Sequence, residues 1–346
     1  MPIKLLLFVA GLLLLVKGAD YFVKAAASLA KKLGVSDFVI GLTLVALGTS
    51  VPELASALTA SFKKQGGLAL GTVIGANVAN MLLITGLAAA LTAVRTRREM
   101  IGRDGYIMLG ATALFCLFAW NGTISRLEAA AMLLIYVAYT LFLFTAKAGL
   151  EGQYGFRSFL NYLFRFRYIL TIKHGVLAGL GRGQAGDRKI ERVFREGVAK
   201  DLLVMLIAGA AIAFGADLFI GAAVYFAGLL KVPPVLVGAS VVSLGTSLPE
   251  MSVTVSAARK GFGNIAMGNV LGSCITNIGL IIGASGLVLP LKTSQARLPL
   301  LLGFLLLASV LLLVFIRSAW RIRRWEGAIL LTLYAAYVVL LYFGLN

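Results

Sequence analysis

Two glutamates, Glu53 and Glu250, are the residues of this sequence best placed to carry chemistry. Each ends a Gly-Thr-Ser-x-Pro-Glu segment, at residues 48–53 and 245–250, within an apolar stretch that contains no Lys or Arg. A charged side chain at the centre of a membrane helix costs at least about 2.5 to 3.5 kcal/mol and needs a cation, a proton or a polar partner. The two segments therefore predict an acidic ion site if these stretches cross a membrane.

The residues around each glutamate supply further oxygen ligands. The proline before each glutamate removes the helical hydrogen bond to the residue four earlier, and the glycine there lets the backbone leave the helix. Freed carbonyl groups, two hydroxyl groups and a carboxylate converge from each segment. Calcium takes about 6 to 8 such oxygens, and sodium accepts the same kinds of oxygen. The absence of Cys and His from this cluster disfavours zinc, copper and nickel.

An amide follows in the next predicted helix of each half. Asn80 and Asn277 lie at matching places, where the side-chain oxygen could bind a cation or water and the nitrogen could hold a glutamate. Asn77 is better explained by an interhelical hydrogen bond. For Asp20 and Asp217, capping or a hydrogen bond to an interfacial amide fits better than a role in transport.

All of these residues belong to an internal repeat with a constant spacing of 197 residues and no gap. The segment 47–53 recurs as 244–250, and Gly71, Gly75 and Asn80 recur as Gly268, Gly272 and Asn277. We interpret these glycines, with Gly66 and Gly263, as positions of close helix packing. Each half has five predicted helices, an odd number, so the halves should be inverted repeats, as in secondary transporters.

The elements that must position these residues are membrane helices. Of the 346 residues, 60% are hydrophobic and only 13% are charged, which is more apolar than a soluble core requires. A membrane helix needs about 20 apolar residues, and the sequence predicts an all-α polytopic membrane protein with ten of them. The predicted spans are residues 3–23, 36–62, 67–93, 105–120, 126–146, 200–226, 233–258, 263–288, 297–317 and 326–344.

The net charge of +18 is explained mainly by membrane sidedness. Most of the 32 Lys and Arg residues lie in alternate loops, above all between Lys147 and Lys200. Since cytoplasmic loops are enriched in Lys and Arg, we expect a multi-pass protein of the cell membrane with both termini outside. Membrane lipids are expected partners, and nucleic acid is not.

The chain divides into a first half (1–147), a basic cytoplasmic loop (148–199) and a second, inverted half (200–346). Basic and aromatic residues alternate in the loop, which fits either an amphipathic helix on anionic headgroups or a solvated linker. His174 in this loop is the only histidine of the chain and is expected to be solvated.

The doubled motif, with the asparagine in the following helix, resembles the two alpha repeats of the cation/calcium antiporter superfamily, in particular the prokaryotic sodium/calcium exchangers. The resemblance covers both halves and implies ten helices, extracellular termini, and alternating access by sliding of helices 1 and 6 past the other eight. It implies calcium binding by the carboxylates of Glu53 and Glu250 and the carbonyls of Thr49 and Thr246. The sodium ligands that it implies are Ser50, Ser247, Ser273, the carbonyls of Ala46 and Ser243, and the same two glutamates.

Two positions depart from the prokaryotic pattern. Ala76 replaces a usual serine, which weakens one expected sodium site. Asn277 replaces a common aspartate, and the loss of that carboxylate favours exchange that does not need potassium. The proton/calcium branch usually carries Gly-Asn-x-x-Glu instead of Gly-Thr-Ser-x-Pro-Glu, so the sequence resembles that branch less.

The expected function is therefore secondary antiport of sodium against calcium, without enzyme activity and without a cofactor. Proton-driven calcium exchange on the same fold is the alternative, because two adjacent carboxylates also compete for protons. A membrane metalloenzyme would need a nucleophile and a base, which this site lacks. A cation channel would be recognised by ohmic conductance without counter-ion coupling.

Overall fold

A computed structural model describes residues 2–32, 46–96, 98, 101–145, 155–165, 188–229, 231–293 and 298–343. The first half contains α1 (Pro2–Lys32), α2 (Ala46–Thr49), α3 (Val51–Phe62), α4 (Gly66–Val78), α5 (Thr85–Leu91), α6 (Tyr106–Ala119) and α7 (Arg126–Thr145). A short helix, α8 (Phe156–Phe164), precedes the second half. The second half contains α9 (Arg188–Leu229), α10 (Pro234–Val237), α11 (Ser243–Thr246), α12 (Leu248–Arg259), α13 (Gly263–Thr276), α14 (Ile282–Val288), α15 (Leu298–Ala319) and α16 (Arg324–Phe343).

Within the described residues, four π-helical turns interrupt or precede these helices, at Ala79–Ile84, Ile101–Gly105, Gly238–Val242 and Asn277–Ile281. Four strands of two residues each connect the halves at the ends of the bundle: β1 (Val94–Arg95), β2 (Thr123–Ile124), β3 (Leu291–Lys292) and β4 (Arg321–Ile322). β1 pairs with β4 and β2 pairs with β3, both antiparallel. Each pair joins one strand from each half of the chain.

The helices have the length and composition of a multi-pass membrane protein. Within the described ranges, seven are long and apolar enough to cross a membrane, or eight if the bent run from Pro234 to Arg259 is one span. The prediction of ten spans is thus not confirmed. Residues 36–45, the first part of the second predicted span, lie outside the described residues. α6, in the fourth predicted span, has only 14 residues.

The centre of the bundle is formed by one continuous helical segment from each half. The segment Gly66–Leu91 is 83% buried inside the protein and Gly263–Val288 is 78% buried, whereas the other spans described are 18% to 50% buried. Close packing at the centre depends on glycine: a Cβ at Gly71 would collide with the carbonyl of Val235, and one at Gly75 with the carbonyl of Ala239. The predicted packing role of these two glycines is therefore confirmed.

α1 and α9 pack along each other at the side of this centre. Their contact includes the rings of Phe8 and Phe219, whose centroids are 4.5 Å apart. α9 begins at Arg188 rather than at residue 200, so the end of the predicted basic loop is helical. The apolar span within α9, Gly197–Leu229, agrees with the membrane span predicted from residue 200. The helix continues before that span through Arg, Lys and Glu, which have high helix propensity.

The described part of the predicted loop also includes α8, which lies on α7. Phe159 and Tyr162 are buried, and Phe159 packs edge-on against Tyr139 and Phe142. The apolar face of this amphipathic helix therefore covers protein, while Arg157 and Arg165 are exposed. Residues 166–187, which include His174, lie outside the described residues.

Candidate ion-binding site

Each Gly-Thr-Ser-x-Pro-Glu segment breaks a helix at its serine. Ser50 separates α2 from α3 and has φ −85° and ψ 5°, while Ser247 separates α11 from α12 with φ −83° and ψ 9°. The run through Ser247 bends by 51° at this break. A proline follows in the first turn of each new helix, which is the position where its missing N–H costs least. A departure from helix is thus present in both halves, but it lies at the serines, and the predicted glycines, Gly48 and Gly245, are inside α2 and α11.

Glu53 and Glu250 lie in the first turns of α3 and α12 and are 0% and 1% exposed. Each carboxylate is bonded to the serine of the other half. Ser247 Oγ donates to Glu53 Oε1 at 2.8 Å, and Ser50 Oγ donates to Glu250 Oε1 at 3.2 Å. The N-terminal end of each helix also favours negative charge through the helix dipole. The two motifs, 197 residues apart in sequence, thus form one buried acidic centre.

The other hydroxyl groups in and beside the two motifs bond to protein atoms other than the two carboxylates. Thr49 Oγ1 donates to Asn269 Oδ1 at 3.5 Å, and Thr246 Oγ1 is 3.2 Å from the carbonyl of Val242. Ser243 Oγ donates to the carbonyl of Ser240 at 3.0 Å. Ala46 is the first residue of α2. Thr49 is thereby bonded to α13, whereas the bonds of Thr246 and Ser243 stay within the local helical run.

Several polar atoms around the acidic centre are buried without a hydrogen-bond partner among the described residues. They are Glu53 Oε2, Glu250 Oε2, Ser273 Oγ, Asn277 Oδ1 and both side-chain polar atoms of Asn80. The π-helical turn that contains Asn80 packs against α12, and the turn that begins at Asn277 packs against α3. A buried polar atom without a partner costs about 1 to 3 kcal/mol. Five of these six atoms are oxygens that can accept, which suits a cation, whereas Asn80 Nδ2 can only donate.

An amide pair ties the two central helices together beside these atoms. Asn277 Nδ2 donates to Asn77 Oδ1 at 2.8 Å, and Asn77 Nδ2 donates to the carbonyl of Cys274 at 3.3 Å. The interhelical bond predicted for Asn77 is therefore confirmed. Asn277 Oδ1 has no partner among the described residues and can therefore accept from water or bind a cation.

The donor set consists of two carboxylates and neutral oxygens. Within the described part of the chain, no three residues of the types His, Cys, Asp and Glu gather in one place. The two candidate aspartates lie elsewhere: Asp20 is exposed on α1, and Asp217 on α9 pairs with Lys63, with Nζ and Oδ1 2.8 Å apart. Asp217 thus contacts an ammonium group, where the sequence predicted a cap or an interfacial amide.

Asn269 is the residue that the sequence analysis missed. It is 4% exposed on α13, and its side chain contacts Thr49, Thr254 and the backbone of Glu250. The repeat gave a usable signal, since Asn269 corresponds to Thr72 and a buried amide replaces a hydroxyl there.

Comparison with known proteins gives a consistent result. The family model described as "Sodium/calcium exchanger protein" matches residues 3–145 and 200–343, which omits the whole of the predicted basic loop. The sequence is 45% identical to the sodium/calcium exchanger MaX1 of Methanosarcina acetivorans over 99% of both chains. It is 31% identical to the inner membrane protein YrbG of Escherichia coli, over 91% of this chain and 88% of that protein.

The fold is similar to a solved sodium-calcium exchanger. The structure of NCX_Mj soaked with 2.5 mM Na⁺ and 10 mM Sr²⁺ matches with a TM-score of 0.61 and 26% sequence identity, over 97% of this chain and 98% of that chain. A second NCX_Mj structure, soaked with 2.5 mM Na⁺ and 0.1 mM Ca²⁺, matches with a TM-score of 0.59.

Proposed function

Because the chain belongs to the sodium/calcium exchanger family, we propose that it is a secondary antiporter that exchanges sodium for calcium across the cell membrane. The family consists of transporters, so no enzyme activity is assigned to it. The observation that carries the proposal is the buried pair of Glu53 and Glu250. Each is bonded to a serine of the other half, and each keeps one carboxylate oxygen without a partner among the described residues.

Calcium is proposed to bind between the carboxylates of Glu53 and Glu250, with the backbone carbonyls of Thr49 and Thr246 as further ligands. Two ionised carboxylates neutralise one divalent ion, and calcium accepts carbonyl and carboxylate oxygens in flexible geometry. The unpartnered Oε2 atoms support this assignment, because bound calcium would satisfy both of them. Asn80 and Asn277 support the site through their side-chain oxygens.

Sodium is proposed to bind in flanking positions that share the same glutamates. The proposed ligands are Ser50, Ser247, Ser273, the carbonyls of Ala46 and Ser243, and the carboxylates of Glu53 and Glu250. Since the glutamates cannot satisfy calcium and sodium at once, entry of one ion displaces the other. If the sodium charge exceeds the calcium charge by one, each cycle moves one net charge, worth about 2.3 kcal/mol per 100 mV.

Transport is proposed to follow alternating access in a ten-helix protein with inverted repeats and external termini. The spans in α1 and α9 move past the remaining helices. Their placement supports this role, because they pack along each other beside the two central segments, which are 83% and 78% buried. Segments outside such a centre can move at a smaller energetic cost.

Calcium-45 flux into proteoliposomes tests the proposal, with sodium, potassium and proton gradients applied one at a time. Sodium inside the vesicles should drive calcium uptake when neither potassium nor a pH gradient is present. Uptake driven by a pH gradient without sodium would instead support proton/calcium antiport. Ohmic calcium current without any counter-ion would contradict exchange altogether.

A further inference from the structure

Asn269 joins the second glutamate to the first half of the chain. Its Nδ2 donates to Thr254 Oγ1 at 3.0 Å and lies 3.4 Å from the backbone carbonyl of Glu250, and its Oδ1 accepts from Thr49 Oγ1 at 3.5 Å. One buried amide on α13 therefore contacts α12 just after its break and α2 just before its break.

The repeat makes this contact asymmetric. Thr72 is the counterpart of Asn269, and its Oγ1 donates to the carbonyl of Leu68 in its own helix at 2.8 Å. The hydroxyl of Thr72 thus bonds within one helix, whereas the amide of Asn269 spans three elements. Asn269 therefore links the Glu250 helix to the other half of the chain, and its counterpart Thr72 makes no such link for the Glu53 helix.

We infer that Asn269 is a positioning residue for calcium. It fixes the first turn of α12, which sets the direction of the Glu250 carboxylate, and it fixes Thr49, whose carbonyl is a proposed calcium ligand. This inference rests on the proposed function. Its expected signature is a weaker affinity for calcium at a nearly unchanged maximal rate, because Asn269 does not itself bind the ion.

The test measures calcium-45 uptake into sodium-loaded proteoliposomes as a function of calcium concentration. Asn269→Ala should raise the KM for calcium about tenfold, the effect of losing one or two buried hydrogen bonds, and change the maximal rate less than about twofold. Thr254→Val, which removes only one partner, should raise the KM about threefold. Thr72→Ala is the matched control and should leave both parameters as in the wild type.

An unchanged KM in both Asn269→Ala and Thr254→Val would overturn the inference, as would equal effects of Asn269→Ala and Thr72→Ala. If Asn269→Ala does not yield monodisperse protein, the Thr254→Val result decides alone. Failure of the proposed function is a separate outcome, because wild-type protein would then show no sodium-driven uptake at all.

An independent observation concerns the ion pair between Lys63 and Asp217. Lys63 Nζ lies 2.8 Å from Asp217 Oδ1 and also donates to the backbone carbonyl of Asp217 at 3.2 Å. Lys63 directly follows α3, the helix of Glu53, and Asp217 lies on α9. The pair thus ties the proposed moving helix to an ion-binding helix at one end of α3.

The repeat places the same two residue types at the corresponding end of α12. Asp217 corresponds to Asp20 and Lys63 to Lys260, each 197 residues apart. Asp20 and Lys260 are both exposed, and neither makes an ion pair within the part of the chain that the structure describes. One pair is therefore formed while its repeat-related counterpart is not.

We propose that the two pairs alternate during transport. Lys63 binds Asp217 in the state seen here, and Lys260 binds Asp20 in the opposite state, in which α1 has moved relative to α12. A partly exposed ion pair is weak, so it can be exchanged for its counterpart in every cycle at little cost. This proposal also rests on alternating access.

Paired cysteines test the alternation in a background from which Cys116 and Cys274 have been removed. Lys63→Cys with Asp217→Cys should cross-link in one ion condition, and Asp20→Cys with Lys260→Cys should cross-link in the other. A switch between sodium and calcium should therefore raise the cross-linking yield of one pair and lower that of the other. Yields that change together, or an Asp20 and Lys260 pair that never cross-links, would overturn the proposal. Absence of sodium-driven calcium uptake by the wild-type protein would show a failure of the proposed function, separate from a failure of the alternation.

A charge swap provides the second measurement. Lys63→Asp alone should slow calcium exchange, and Lys63→Asp with Asp217→Lys should restore most of the rate, while Lys64→Asp in the same loop should have little effect. Absence of rescue by the double substitution, together with equal effects at Lys63 and Lys64, would contradict a specific pair.

Discussion

Replacement of Glu250 by glutamine is the most direct test of the acidic centre. Glutamine has nearly the same shape as glutamate and keeps a carbonyl oxygen that can accept from Ser50, whose Oγ is 3.2 Å from Glu250 Oε1. The substitution therefore removes a charge while preserving the hydrogen bond across the halves. Glu53→Gln does the same at the other carboxylate, where Ser247 Oγ is 2.8 Å from Oε1.

The expected loss follows from burial. Both side chains are at most 1% exposed, so water cannot replace a missing carboxylate. Removal of one partner from a buried charge pair costs about 3 to 5 kcal/mol. At about 1.4 kcal/mol per factor of ten, calcium affinity should fall by roughly a hundredfold to several thousandfold. Uptake at micromolar calcium should then be lost in either variant.

The assay is calcium-45 uptake into sodium-loaded proteoliposomes, with Glu128→Gln as the control. Glu128 Oε2 accepts from the backbone nitrogen and the hydroxyl of Ser125, both at 2.8 Å, at the start of α7. Glutamine also serves in such a capping box, so this variant should transport like the wild type. Normal uptake by both Glu53→Gln and Glu250→Gln would refute the assignment of the site.

Three further changes have defined outcomes. Asn77→Ala leaves the Asn277 amide without its partner and should lower the free energy of unfolding by about 1 to 3 kcal/mol, measured as a lower melting temperature in detergent. Asn77→Ala combined with Asn277→Ala should cost less than the sum of the two single substitutions. Gly71→Ala should prevent recovery of folded protein because its Cβ meets a backbone carbonyl, whereas Gly110→Ala, with nothing within 4 Å of the added Cβ, should be neutral. Ala76→Ser should lower the sodium concentration for half-maximal exchange by about two- to tenfold if the added hydroxyl binds sodium. An unchanged sodium dependence would place residue 76 outside the sodium site.

Local chemistry and the repeat made much of the candidate site predictable. The helix breaks at Ser50 and Ser247 follow from a proline two residues later, which acts through its own backbone and needs no tertiary information. The grouping of Glu53 with Glu250 followed from a constant repeat spacing combined with the cost of burying a lone charge. The hydrogen bond of Asn77 followed from the cost of an unpaired amide between apolar helices.

Other features depend on helix geometry that sequence patterns do not contain. Ser50 bonds to Glu250 and not to Glu53, although Glu53 is nearer in sequence. The relative position of the two helix breaks decides this, and it cannot be read from the sequence. The role of Asn269 was missed for the same reason, since its partners lie on two other elements. The early start of α9 at Arg188 was missed because apolar content marks where a membrane begins, and not where a helix begins.

The crossed hydrogen bonds give a physical reason for a site divided between two halves. Since Ser50 serves Glu250 and Ser247 serves Glu53, neither half contains a complete carboxylate environment. Any movement of α3 relative to α12 therefore changes both bonds together. A cation held between the two Oε2 atoms would be bound across the same boundary, so its binding energy would depend on the relative position of the halves. A site built within one half could bind an ion, but its affinity would not respond to that position, and such a response is what coupled exchange requires.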